Sequence, residues 1–351
     1  MNLTTVALPN LIAHDLVIVH PLSSMSGYIT YIEYSYGSNK GATKQGDLIS
    51  NPFGFGSVDA DFTGTKVVET IAAGQTALAW GPVVKDSIEK FNTSNNQWEK
   101  QNDSYTPSEG DKVRYAYDNV VIPQNDLPMI KAEMKSIALV AKARRIAVYY
   151  SQIAAYQAKT DYGVDLGDQL AEKAVGELSY EIDTEVTNLL VANAVEDPEL
   201  VWSKTLPVGV SKSEHYEGFA EVLEIAKQKI YDATKKFAPN YMLCASNVLP
   251  VLSLVKSFKA APAGAINGPY FAGTIGNVKV FVTPNIAAGK FVLGVNGNDM
   301  MSSAAVYAPY MSVVPTSLLQ YADGGNSQGW STLYALEMLN KNLLIAGHIE
   351  A

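Results

Sequence analysis

Leu166, Leu170, Ala174, Leu178, Ile182, Val186 and Leu190 recur in steps of four, and Val175 and Leu189 widen the stripe they draw. Side chains four apart share one face of an α-helix. The spacing therefore predicts one helix of about 30 residues, which at 1.5 Å per residue approaches 45 Å. Asp165 is a fair N-cap, Asp168 adds a carboxylate at the positive end of the helix, and Asp197-Pro198 stops it. A helix of that length is a strut, along which other elements must be laid.

The segments around the strut have different textures. In Tyr28–Tyr36 the residues Tyr28, Thr30, Ile32, Tyr34 and Tyr36 alternate onto one face, which predicts a strand, and Ser136–Val140 predicts another. From Gly37 to about Tyr117 the chain is dominated by Gly, Asn, Ser, Asp and Thr, with strand-like islands at Thr65–Ile71 and Thr76–Val84. So long a non-helical insertion serves contact or function rather than a core, and it reads as a projecting β-arm. Ile146, Tyr149, Tyr150, Ile153 and Tyr156 give a second helical pattern, broken at Asp161-Tyr-Gly-Val-Asp165. Beyond Trp202 the pattern predicts a second, compact α/β unit. It has a helix over Tyr216–Phe237, a buried strand Tyr241–Ala245 and a short helix near Ser246-Asn247. Strands follow at Val278–Val282, Lys290–Val295, Ala304–Tyr307, Trp330–Leu339 and Leu343–His348. No internal repeat of fixed period is present.

Composition narrows the function. Of 351 residues one is cysteine, Cys244, and four are histidine, which excludes a disulfide scaffold and leaves little for a structural zinc site. The net charge of −9 opposes the counterion release that drives ordinary duplex binding. The longest apolar stretch, Thr4–Val19, is interrupted by Pro9, Asn10, His14 and Asp15, short of the roughly 20 residues a bilayer span needs. Met1–His20 lacks the basic start and cleavage pattern of a secretion signal. The chain reads as one made and kept in a reducing, aqueous compartment.

Each candidate for chemistry meets a plainer reading. Asp161, Gly163, Asp165 and Glu172 are spaced like part of a calcium loop, but Leu166 occupies the position that requires glycine, so a turn and helix cap fit better. Glu177, Glu181 and Glu185 share a helix face, with Asp183 nearby, yet no Glu-x-x-His pair accompanies them. They read as an acidic face meeting solvent or the basic groups of a neighbouring subunit, Arg144 or Arg145 being the candidates. Gly54-Phe-Gly56 and Gly294-Val-Asn-Gly297 lack the rest of a nucleotide fingerprint, and Ala245-Ser246-Asn247 lacks the glycines of a nucleophile elbow, which leaves Ser246 as an N-cap. Cys244 sits in an apolar run where a thiol is inert. His215, between Glu214 and Glu217, has no nucleophile in view. No cofactor or metal is implied. What stands out is 20 tyrosines and 4 tryptophans in a chain with only 17% charged residues. Rings with a polar handle serve association surfaces as well as cores.

Several strings, in order, resemble the major capsid proteins of T-even-like tailed bacteriophages, which have the Hong Kong 97 (Johnson) shell fold. They are Leu8-Pro-Asn-Leu-Ile-Ala-His-Asp15, Val19-His-Pro21 with Ser26-Gly27, Tyr34-Ser-Tyr-Gly37 and Ala141-Lys-Ala-Arg144 running through Tyr150-Ser151. Tyr162-Gly-Val-Asp165, Glu181-Ile-Asp-Thr-Glu-Val186, Asn240-Tyr-Met-Leu-Cys-Ala-Ser-Asn247 and Tyr307-Ala-Pro-Tyr310 continue the series. The resemblance implies an α+β fold: an N-terminal arm and first strand over 1–36, an extended β E-loop over 37–117, and a peripheral domain with its spine helix over 118–215. An α/β axial domain follows over 216–326, with C-terminal strands over 327–351 that return to the peripheral domain. It implies a structural protein, not an enzyme, that self-assembles into hexamers and pentamers of an icosahedral or prolate head. The implied partners are copies of itself, portal, scaffolding and decoration proteins, and packaged double-stranded DNA bound without sequence specificity. No membrane is involved, and the place is the virion capsid, assembled in the host cytoplasm. Two departures stand out. The long propeptide that precedes the Pro-Asn-Leu-Ile-Ala string in T-even phages is missing, so the expectation is a processed form or separate scaffolding. Gly329-Trp-Ser-Thr-Leu-Tyr334 also diverges from the family's basic, aromatic ending. Two other readings stay open at this level: an encapsulin-like nanocompartment shell, and an α/β hydrolase with a β-rich insertion.

Overall fold

The computed structural model describes residues 11–40, 43–56, 62–118, 128–262 and 268–350. The first ten residues of the expected arm, Leu8, Pro9 and Asn10 of the first quoted string among them, lie outside the described residues. The chain divides into two compact units, Met1–Ile29 with Ser136–Ala351, and Thr30–Lys135.

In chain order, α1 (Ala13–Leu16) and β1 (Ile18–Val19) open the first unit, and β2 (Ser26–Tyr36) leads out of it. The second unit continues with β3 (Leu48–Asn51), β4 (Gly54–Phe55), β5 (Lys66–Thr70), β6 (Glu89–Asn92), β7 (Gln97–Lys100) and β8 (Lys112–Ala116), and β9 (Ile130–Val140) leads back. Then come β10 (Lys142–Ser151), α2 (Gln152–Tyr162), α3 (Leu166–Asn193), β11 (Val195–Ser203) and α4 (Lys212–Thr234). They are followed by β12 (Tyr241–Ala245), α5 (Leu249–Leu252), β13 (Phe258–Ala260), β14 (Tyr270–Ile275), β15 (Val278–Thr283) and β16 (Lys290–Gly294). The chain closes with β17 (Ala305–Pro315), β18 (Leu319–Gln320), β19 (Gly325–Met338) and β20 (Leu344–Glu350).

The strut is α3, 28 residues long, and the Asp165 carboxylate accepts from the N–H groups of Gly167 and Asp168 at its start. Its apolar stripe serves two cores in succession. Ala171, Ala174, Val175 and Leu178 pack on Val313 and Trp330. Ile182, Val186 and Leu190 join the main core. Each fully buried aliphatic side chain contributes about 1.5–3 kcal/mol, so the helix is held along its length by two separate sets of contacts.

The main core is built on a seven-stranded sheet of order β11-β20-β16-β12-β15-β14-β13. Every residue of β12 is buried, as suits a central strand covered on both faces. Phe219, Leu223, Ala226 and Ile230 of α4 pack against it. That helix starts a turn before the expected Tyr216, because Ser211 and Glu214 form a reciprocal capping box, and it ends at Thr234 rather than Phe237. Ser246 is not the N-cap expected of it. It lies in a turn, and α5 begins at Leu249 with no side-chain cap.

A second sheet runs β1-β17-β19-β10, with β18 also paired to β19. It corrects one reading. Ile146–Tyr150, expected as helix, belong to β10, which pairs with β19 through ten residues from Lys142↔Tyr334 to Ser151↔Gly325. Ile146, Tyr149 and Tyr150 fit the helical period, while Ile146, Val148 and Tyr150 alternate onto one strand face, and cross-strand pairing decides between the two readings. Helix begins only at Gln152, where the Ser151 hydroxyl accepts from the Ala154 N–H. The last two strands also part company: β19 runs with β10 and β17, whereas β20 lies between β16 and β11. Leu344, Ile345, Ala346 and Gly347 are buried in succession, the mark of an interior strand.

In the second unit the sheets are β4-β3-β2-β9 and β5-β8-β6-β7. Val67, Ile71, Trp80, Ile88, Val113, Tyr115 and Tyr117 form a small core of their own. Thr76–Val84 is not the strand its composition suggests. Pro82 has no N–H to give a ladder, and Val83 makes a lone bridge to Tyr117. Instead the Glu69 carboxylate accepts from the Ala79 N–H at 3.2 Å and the Tyr115 hydroxyl accepts from the Trp80 N–H at 3.0 Å, which pins the loop over the core.

Candidate assembly surfaces

Of the residues singled out for subunit contact, the fold brings two together within one chain. The Arg144 guanidinium, on β10, lies 2.7 Å from the Glu185 carboxylate on α3, and the Tyr334 hydroxyl of β19 donates to the same carboxylate. Strand pairing and the helix face deliver these groups: Arg144 is opposite Thr332 in the ladder, and Glu185 is the last member of the i+4 acidic row. The Glu185 hydrogen bond holds the Arg144 pKa above its ordinary value. Burial, and then the same carboxylate, push the Tyr334 hydroxyl up. Arg144 thus neutralises an acidic-row residue of its own chain, where a pair between copies was expected. Arg145 is exposed, and so are Glu177 and Glu181, for which no ion pair is described. The structure leaves those three facing outward.

The other singled-out groups have structural tasks. Asp165 caps α3, and Glu214 caps α4. His215 donates from Nε2 to the Ser203 carbonyl at 2.9 Å and stacks on Trp202 with centroids 4.8 Å apart. Cys244 is buried, which pushes its thiol up to about 12. Gly56 is required by close approach, because a Cβ there would lie 1.8 Å from the Leu48 carbonyl oxygen.

Sequence reasoning missed Asp183 as a clamp. It is buried on α3 and accepts from the Ala13 N–H at 3.0 Å and from the Ile12 N–H. Burial raises its pKa to about 6. Nearby, Lys279 lies 2.8 Å from Asp15, and the Asn296 amide donates to the Asp15 carbonyl at 3.0 Å. Together they fasten residues 12–15 while Leu11, Ala13, Leu16 and Val17 enter the main core. The available signal was a carboxylate in the row Val175, Ser179, Asp183, Thr187, which flanks the apolar stripe.

Exposed rings mark two further surfaces. Tyr28, Ile32 and Tyr34, the alternating face of β2, point outward, while Ile29 and Ser35 of the opposite face are buried. Helix α2 has no buried side chain, and Ile153, Tyr156 and Tyr162 are exposed on it. A soluble chain rarely leaves contiguous apolar surface uncovered without a partner for it.

Four β-sheets with a few helices, one of them a long strut, make an α+β fold of the Hong Kong 97-like class. The solved structures agree on that fold. A chain from Microbacterium phage Oxtober96 matches with a TM-score of 0.50 at 11% identity, covering 97% of this chain and 91% of its own. A chain from Mycobacterium phage Bobi matches with a TM-score of 0.50 at 8% identity over 97% and 90%. The model of the major capsid protein Gp23 family matches residues 1–347, and the chain belongs to that family. A curated relative, the major capsid protein of Vibrio phage KVP40, is 23% identical over 225 residues. That alignment takes in 56% of this chain and 43% of the relative, so the chain spans less than half the length of the relative it matches. The proteins of this family are structural components of the virion capsid.

Proposed function

We propose that this chain is the subunit of a tailed-phage head, assembling as hexamers and pentamers into a closed shell around double-stranded DNA. The observation that carries the reading is the family match along residues 1–347. On this reading the segment 37–117 is an E-loop lying across a neighbouring copy, 118–215 a peripheral domain on its spine helix and 216–326 an axial domain. Its role is structural rather than catalytic. Its partners are further copies, a portal, scaffolding and decoration proteins, and DNA held without sequence readout, which a net charge of −9 favours by leaving phosphates loosely held. Small pairwise contacts multiply around a closed lattice, so no single interface needs to be strong. Electron microscopy of the purified chain across salt and concentration tests the proposal. Closed particles, tubes or rings of capsomers are expected, and a compact monomer under every condition would overturn it.

A further inference from the structure

Between β11 and α4 the chain makes a short loop, 204–211, in which every residue is exposed. The loop is firmly built. At its start the Lys204 N–H donates to the Glu350 carbonyl at 3.0 Å and the Thr205 N–H to the Ser203 hydroxyl at 3.2 Å. At its end Ser211 enters the capping box of α4. At the tip the Val210 N–H donates to the Pro207 carbonyl at 3.4 Å, closing a turn in which Gly209 has a φ of 89°, a value that favours glycine. That turn holds Val208 at its corner, fully exposed, with Leu206 and Val210 exposed on either side. Leu206, Pro207, Val208 and Val210 therefore stand in water on a loop whose conformation is already fixed. A preorganised apolar tip gives up little conformational entropy when it is buried, and it is the kind of surface that a partner covers.

The same chain carries a socket of matching character. Strand β11 stands at the end of the seven-stranded sheet, and a register shift between Glu196 and Val201 interrupts its ladder with β20. Pro198, inside that interruption, has no N–H to offer a further strand. The irregular edge opens a groove of about 350 Å³ instead, with Pro198, Val201, Ala346 and Gly347 in its lining. Glu196 and Asp197 line it too, and Glu199 follows on the strand. Lys290 pairs with Glu196 at 2.5 Å, while Lys229 serves both Asp197 at 2.5 Å and Glu199 at 2.7 Å, so the carboxylates outnumber the lysines. Lys204 and Lys212, which flank the loop, have no carboxylate partner among the described residues. We propose that the 206–210 loop of one copy seats in the β11–β20 groove of a second copy, its apolar tip on Pro198 and Val201 and its lysine flanks against the acidic rim. The proposal rests on the shell reading and specifies one of its contacts. A second copy is the occupant because each element carries the charge the other lacks. Loop and groove also lie at different heights along one edge strand, so joining them links unlike surfaces head to tail, the kind of contact that generates rings of identical subunits.

Two kinds of variant of the full-length chain test the docking. Val208→Asp, at a fully exposed position, should melt as the wild type does and raise the concentration at which particles form by about tenfold, the equivalent of one buried aliphatic contact. Sedimentation and electron microscopy read that concentration. Val208→Cys and Val201→Cys chains, mixed before assembly and treated with a short bismaleimide, should give a crosslinked pair on a denaturing gel, while either variant alone should not. Cys244 is buried and stays out of the reaction. Val208→Asp particles at the wild-type concentration, or assembled mixtures that yield no crosslinked pair, would sink the docking and leave the shell reading intact. A wild-type chain that never assembles removes both.

Discussion

The core of the seven-stranded sheet and the core of the β5–β8 sheet are made by different means. The first draws on α1, α3, α4 and strands far apart in sequence, and it includes continuous buried runs such as Tyr241–Ala245 and Phe291–Leu293. The second holds Val67, Ile71, Trp80, Ile88, Val113, Tyr115 and Tyr117, all from one stretch of chain, and fixes its loop by hydrogen bonds that the backbone N–H groups of Ala79 and Trp80 donate to the Glu69 carboxylate and the Tyr115 hydroxyl. Large mixed burial carries the first; local pairing with a few polar pins carries the second. The second unit therefore behaves as an insertion. The stretch that carries the β5–β8 sheet starts and finishes side by side, since the Tyr117 N–H donates to the Thr65 carbonyl at 2.9 Å.

The difference can be broken from either side. Trp330→Ala, in the cluster where α3 meets β19, should cost about 3–5 kcal/mol for a buried ring and lower the main unfolding transition in urea. Retained wild-type stability would contradict the packing of Trp330 on Leu178 and Val175. Ile71→Ala should cost about 2–4 kcal/mol, but only in the second unit. Calorimetry should show one transition falling while the other stays, and a joint shift of both would show that the two cores unfold together.

Asp183 sharpens the comparison through pH. Its folded pKa, raised to about 6 from 3.8 by burial, means that the stability it contributes is fully present below pH 4 and is lost as pH rises through 6. That gap corresponds to about 3 kcal/mol. Asp183→Asn keeps an acceptor for the Ala13 N–H and cannot ionise. It should match wild type near pH 4 and exceed it above pH 6, and equal melting temperatures at both pH values would refute the account. The smallest effect is expected at Arg144→Ala. Its pair with Glu185 is partly exposed, so about 0.5–1 kcal/mol is at stake, with the Tyr334 hydroxyl still held by Glu185.

How much of this was legible in the sequence depends on the range over which each residue's environment is set. The strut, its Asp165 cap and the buried strand Tyr241–Ala245 were readable because period and capping are local. The acidic row Glu177, Glu181, Glu185 was readable as a row, but its division was not: Glu185 turned inward to Arg144 and Tyr334 and the others outward, which depends on where β10 and β19 cross the helix. For the same reason Ile146–Tyr150 read as helix.

The sequence by itself determined which segments are helix or strand wherever one period dominated, as in α3 and β12. Tertiary structure alone decided that β20 leaves β19 for the seven-stranded sheet, that Asp183 clamps Ile12 and Ala13, and that β2 turns Tyr28 and Tyr34 outward while Tyr36 on the same alternating face is buried. Each of those outcomes is set by a partner more than a hundred residues away or by a surface still uncovered, and neither leaves a trace in the spacing of neighbouring residues.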